Sequence, residues 1–208
     1  LTVSGRLGLA LLKAADPLVD GRSWFALKMG DVTVSGGLDP SLDIGLSATI
    51  TIGALDYHSA SNSLNPTAVV KRLNWARAFD LDGDGGFDDV LDPGAQLPVA
   101  QDLAIDFASS LQLRLTGTLT GNGDVGGVPG NAILTVGPLQ VTGTAAFALV
   151  LQTVDADTDG NGTADLIGGT LLGLALDVSQ AGVSIENVAT LTVSGRLGLA
   201  LLKAADPL

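Results

Sequence analysis

LTVSGRLGLALLKAADPL, residues 1–18, returns without one change as residues 191–208. Leu1, Val3, Leu7, Leu9 and Leu11 fall on one side of an extended chain, and Thr2, Ser4, Arg6, Gly8 and Ala10 on the other. That period of two marks a strand with one buried face. The chain therefore reads as one repeat unit, 1–190, followed by the start of the next identical unit, 191–208. A window onto a tandem array of long repeats has this form, with neither end a natural terminus. A domain whose first strand was re-appended so that it completes its own sheet has the same form. Both readings expect residues 1–12, or their twin 191–202, to pair with a neighbouring copy at the seam between copies.

The same alternation runs through most of the chain. Val183, Ile185 and Val188 lead into the second copy and extend it into one long strand, or two joined at a bulge. The Asp-Pro and Asp-Gly dipeptides of residues 13–21 predict a turn. Strands are expected over residues 24–36, 42–55, 103–120, 132–154 and 166–178, with a break at Asp39-Pro40, a polar loop over 56–66 and a turn in the glycine-rich 121–130. Residues 67–79 (TAVVKRLNWARAF) fit a helix or a strand. A recurring (Ser/Thr)-Gly pair, as in Val3-Ser4-Gly5, Val34-Ser35-Gly36, Leu115-Thr116-Gly117 and Val141-Thr142-Gly143, predicts bulges inside long strands. Long strands joined by short turns, with no helical crossover, make an all-β fold. It is a meander of antiparallel strands over a Leu/Val/Ile core, as a rolled sheet or a sandwich, stacked end to end into a fibre.

One period of 190 residues is enough to bury a sizeable core. The net charge is −12; residues 191–208 contribute Arg196, Lys203 and Asp206, or +1, so the unit itself carries −13. Such a surface disfavours nucleic acid and anionic lipid, which both require a basic face, and favours cations. With no cysteine there is neither a disulfide framework nor a thiolate metal site. The longest near-apolar run, residues 166–176, falls well short of the roughly 20 residues of a transmembrane helix.

Two stretches carry chemistry. Residues 80–88 (DLDGDGGFD) and 157–165 (DTDGNGTAD) share the pattern D-x-D-G-(D/N)-G-x-x-D, 77 residues apart. Calcium takes six to eight oxygens, and side chains at positions 1, 3 and 5 of a tight loop supply three of them, with a glycine at position 6 for the turn. Asp80, Asp82, Asp84, the Gly86 carbonyl and Asp88 form one candidate set for Ca²⁺. Asp157, Asp159, Asn161, the Thr163 carbonyl and Asp165 form the other. The pattern matches the first nine residues of an EF-hand loop, but position 12 holds Leu91 in one and Gly168 in the other, which argues against a helix–loop–helix. An acidic turn that binds nothing is the alternative reading. His58 is the only histidine, expected in a surface loop, so metal triads and nucleophile–histidine pairs are excluded. Asp43, Asp106 and Asp177 are expected to face solvent, and Trp24, Phe25 and Trp75 to pack in the core or in a hairpin rather than form a sugar-stacking platform.

The nine-residue loops resemble the calcium loops of FG-GAP and integrin-α blades. The whole chain resembles the stalk repeats of giant bacterial extracellular fibres and adhesins in its perfect long repeat, acidic loops, Leu/Val/Thr/Gly-rich strands and missing cysteine. That resemblance implies a secreted or cell-surface structural spacer rather than an enzyme. It is stiffened by Ca²⁺, continues its sheet into identical neighbours and is able to bundle laterally. A carbohydrate- or surface-binding module and a lipid-binding β-groove are the alternatives.

Overall fold

The structure, a computed structural model, describes residues 2–37, 45–125, 128–136, 139–185 and 189–204. Its strands are β1 (Thr2–Lys13), β2 (Arg22–Gly37), β3 (Gly45–Asn62), β4 (Leu111–Gly121), β5 (Gly123–Val125), β6 (Val128–Val136), β7 (Leu139–Ala156), β8 (Leu166–Ile185) and β9 (Ala189–Lys203). All nine join one antiparallel sheet. The order across it is β1-β2-β3-β4-β7-β8-β9, with β6 below the end of β4 in the same lane, paired to both β3 and β7. Among the described residues there is no second sheet, so the sandwich is not formed.

Several local expectations change. Within 121–130, where a turn is expected, residues 123–125 and 128–130 are in strands β5 and β6; of 132–154, residues 132–136 belong to β6 and 139–154 to β7. Val183 and Ile185 close β8, which turns back against β9 rather than running on into it. The 67–79 stretch is neither helix nor strand but extended chain with a single 3-10 turn, Trp75–Arg77. Residues 103–110 lie outside the sheet, because Leu103, Ile105 and Phe107 are used to cover it from above. Of the Ser/Thr-Gly pairs, Gly5 does mark a bulge, where the β1–β2 register shifts between Ser4 and Arg6. A Cβ there would come within 2.6 Å of Val32 Cγ2, and φ is +153°, so only glycine fits. Gly117 also faces a bulge, where the β3–β4 register shifts between Ile52 and Ala54 opposite Gly117 and Thr116, whereas Gly36 stays in regular pairing. The Asp39-Pro40 break, Asp43 and Val188 lie outside the described residues.

The larger correction concerns which face is buried. Residues 63–110, between β3 and β4, fold over one face at the β1–β3 end. The buried cluster there is Ala10, Ala26, Trp75, Ile105 and Phe107, with Leu12, Trp24, Leu73, Phe79 and Leu91 packed against it. In β1 it is thus Gly8 and Ala10 that are buried, while Leu7, Leu9 and Leu11 are 52–58% exposed. Small residues on the sheet let the large Trp75, Ile105 and Phe107 come down onto it, so the volume is supplied from above.

The opposite face is aliphatic across its whole width. One transverse row pairs Leu7, Met29, Leu55, Leu115, Leu149, Leu174 and Leu199; the next pairs Leu9, Leu27, Tyr57, Leu113, Leu151, Leu172 and Leu201. A third runs Val32, Ile52, Gly117, Phe147, Leu176 and Leu197. Directly paired residues share a face, and apart from Val32 all of these keep some exposure.

Candidate functional site: the acidic loops and the outer strands

The first acidic loop interrupts residues 63–110 and is closed at its base by an antiparallel bridge between Phe79 and Asp89. The second is the turn joining β7 to β8. Their internal bonding is the same. The carboxylate at position 1 accepts from the N–H groups of positions 4 and 6: Asp80 from Gly83 (2.7 Å) and Gly85 (3.1 Å), Asp157 from Gly160 (2.7 Å) and Gly162 (2.6 Å). Position 3 accepts from position 5, in Asp82 from Asp84 and in Asp159 from Asn161, both at 3.1 Å. Position 5 accepts from position 7, in Asp84 from Gly86 (2.7 Å) and in Asn161 from Thr163 (2.8 Å). The glycines at positions 4 and 6 all lie at φ between 77° and 89°, the left-handed region that wraps the chain around the position-1 carboxylate.

The closing residue differs between the loops. In the second, Asp165 accepts from the Thr158 N–H (2.8 Å) and hydroxyl (2.6 Å), at the expected position. In the first, that role belongs to Asp89, which accepts from Leu81 (2.5 Å) and Asp82 (3.1 Å). Asp80, Asp82 and Asp89 each offer a carboxylate oxygen within 4.8 Å of the other two. Asp84 and Asp88 stand outside that trio, and Asp89 falls one residue beyond the nine-residue pattern. The doubled Asp88-Asp89 was the available signal. The Gly162 N–H, first among its donors, pulls Asp157 below the ordinary carboxylate range, and the Thr158 hydroxyl does the same for Asp165. These carboxylates are ionised at neutral pH, and such loops, rich in oxygen and exposed, suit a hard divalent cation.

The buried polar groups lie elsewhere. His58 is in β3, not a loop, and fully buried, edge-on to Phe107 with ring centroids 5.6 Å apart. Its Nε2 contacts the Leu111 carbonyl, its Nδ1 has no partner, and burial depresses its pKa, so the ring is neutral. Asp56, also fully buried, takes the Arg114 guanidinium, with Nε at 2.6 Å. Asp56 ties β3 to β4, and His58 ties β3 to Leu111 and to Phe107 above the sheet. Asp106 and Asp177 are exposed, as expected, and pair with Lys28 and Arg196.

The second candidate is the pair of outer strands. Pairing can be followed across the sheet from Gly8 through Lys28, Asp56, Arg114, Val150 and Gly173 to Ala200. Ala200 is the twin of Ala10 (200 − 190), so six lanes carry the chain back to its own first strand, offset by two residues. Six is even, so β9 runs in the same sense as β1. Two is even, so each side chain of β9 lies on the face its twin occupies in β1.

The twins differ in one respect. Leu7, Leu9 and Leu11 are 58, 52 and 55% exposed, and Leu197, Leu199 and Leu201 are 56, 54 and 59% exposed. On the other face, a Cβ on Gly8 would lie 3.2 Å from Leu103 Cβ, whereas one on Gly198 would meet nothing within 4 Å. Ala10 is 7% exposed, and Ala200 is open. The cover that residues 63–110 supply to β1 is missing over β9. Among the described residues no helix is long and apolar enough to cross a membrane. The chain matches no protein family, no curated protein and no solved structure.

Proposed function

We propose that this chain is a structural repeat of a secreted or cell-surface bacterial fibre or adhesin stalk, stiffened by Ca²⁺ and continuing its sheet into identical neighbours. The observation that carries the reading is that one eighteen-residue sequence supplies both outer strands, related by an even number of lanes and an even offset. If β9 of one repeat is β1 of the next, the two long outer edges are paired and their exposed backbone disappears from the interior of the array. Each repeat then advances six strand spacings, roughly 29 Å. The strongly acidic units repel one another sideways unless a cation intervenes, so lateral bundling depends on Ca²⁺. No catalytic role and no nucleic-acid partner belong to this reading.

The Ca²⁺ reading rests on the matching hydrogen-bond pattern of the two loops. Melting the 208-residue chain in excess EDTA and in 10 mM Ca²⁺ tests it. At a Kd of about 10⁻⁴ M, typical of extracellular sites, that concentration is about 100 Kd and stabilises each site by about 2.7 kcal/mol. The expected upward shift is reduced by Asp82→Ala and by Asp159→Ala and abolished by both together. An unchanged melting temperature would reduce the loops to acidic turns. A second reading, a lipid-binding β-groove, is favoured by the aliphatic rows of the uncovered face. Tight binding of a fatty-acyl probe by the 208-residue chain, lost on changing Leu149 and Leu174 to Asp, would promote it over the fibre.

A further inference from the structure

A groove of about 550 Å³ lies along the free edge of β1. Its floor is Ala10 and Leu12; its far wall is Trp75, Phe79, Leu81 and Val90, from the segment that covers β1. Leu81 is 59% and Val90 45% exposed, although both stand beside the most deeply buried tryptophan of the chain. The segment thus leaves apolar surface exposed along the edge of β1.

Resting on the fibre reading, we infer that residues 63–110 are a clasp that reaches across the seam onto β8 of the preceding repeat, with Leu171 of that repeat seated in the groove. The occupant follows from the register. Leu171 pairs with Leu202, and Gly173 with Ala200, the twins of Leu12 and Ala10. When β9 stands in the place of β1, Leu171 therefore lies one strand beyond Leu12, on the covered face, where the groove is. Gly173 beside it offers no side chain to obstruct the clasp, with nothing within 4 Å of the place its Cβ would take. The same docking supplies the cover that Gly198 and Ala200 lack. It brings the first acidic loop, which carries Leu81, toward the end of β8 that follows the second.

The chain has no cysteine, so a cross-link reports on chosen positions alone. In a chain of two periods joined at the native Thr190–Leu191 junction, Leu171→Cys is placed in the first period and Leu81→Cys in the second. A short bis-maleimide should then cross-link nearly every molecule. The same pair in the 208-residue chain should not react internally, because β8 and β1 are five strand spacings, roughly 24 Å, apart along the sheet. Circular dichroism checks that both substituted chains keep their strands. No cross-link in the two-period chain, with one cooperative melt and rod-like small-angle scattering, would overturn the clasp and leave the fibre reading standing. No cross-link with two periods that melt independently as flexibly joined beads would overturn both.

Discussion

Gly8 and Gly198 occupy the same place in two identical strands, and valine at each tests whether the covering segment, rather than strand sequence, makes the difference. At Gly8 the first added carbon would already sit 3.2 Å from Leu103 Cβ and 3.4 Å from the Leu103 carbonyl oxygen. The two further methyls of valine go beyond it into the clasp, and overpacking of this kind costs about 1–3 kcal/mol. At Gly198 there is nothing within 4 Å, so valine meets no obstacle and gains up to about 1 kcal/mol of strand preference. The local sequence is the same at both sites, so the effect of losing a glycine from the unfolded chain is nearly equal and drops out of the comparison. Gly8→Val should therefore be about 2 kcal/mol less stable than Gly198→Val in the 208-residue chain, which at this size is about 4–8 °C in Tm. Urea unfolding followed by the fluorescence of Trp24 and Trp75, with calorimetry for Tm, measures it. Equal stabilities for the two variants would refute the packing of Leu103 on Gly8 and with it the assignment of residues 63–110 as a cover.

Stability should be flat above pH 6.5 and fall as the pH drops below it, because the unfolded state takes up a proton on His58 that the folded state, with its depressed pKa, resists; His58→Gln should remove that limb of the pH–stability curve. The limb is separate from that of Asp20, which its ion pair with Arg22 lowers to about 2 and which therefore titrates between 3.8 and about 2. Arg114→Met leaves the Asp56 carboxylate buried and unpaired and should cost about 3–5 kcal/mol by denaturant unfolding, whereas adding Asp56→Leu should restore most of the loss.

Strand content, antiparallel order and the repeat boundary are legible in the sequence because they rest on local rules: side chains alternate with a period of two, glycine and Asp-Pro interrupt, and identity between 1–18 and 191–208 needs no structure to be seen. The acidic loops are legible for the same reason, since the position-1 carboxylate and the glycines at positions 4 and 6 act within nine residues. The hydrogen bonds of Asp89 to Leu81 and Asp82 are not legible in the same way, because the bridge between Phe79 and Asp89 that places this carboxylate lies outside the local pattern.

What alternation cannot say is which of its two faces will be covered. In β1 the leucines mark a plausible core, yet the burial goes to Gly8 and Ala10, because a segment of residues 63–110 distant in sequence brings Trp75, Ile105 and Phe107 to that side. His58 and Asp56 read as loop residues for want of apolar neighbours, but cross-strand pairing with Ala26 and Lys28 holds them in β3 beneath that cover. The sequence by itself determined that a strand recurs at both ends of the repeat. Only the tertiary structure decided that six lanes and a two-residue offset bring that strand back on the same face and in the same direction, since register is the sum of every pairing and bulge between them.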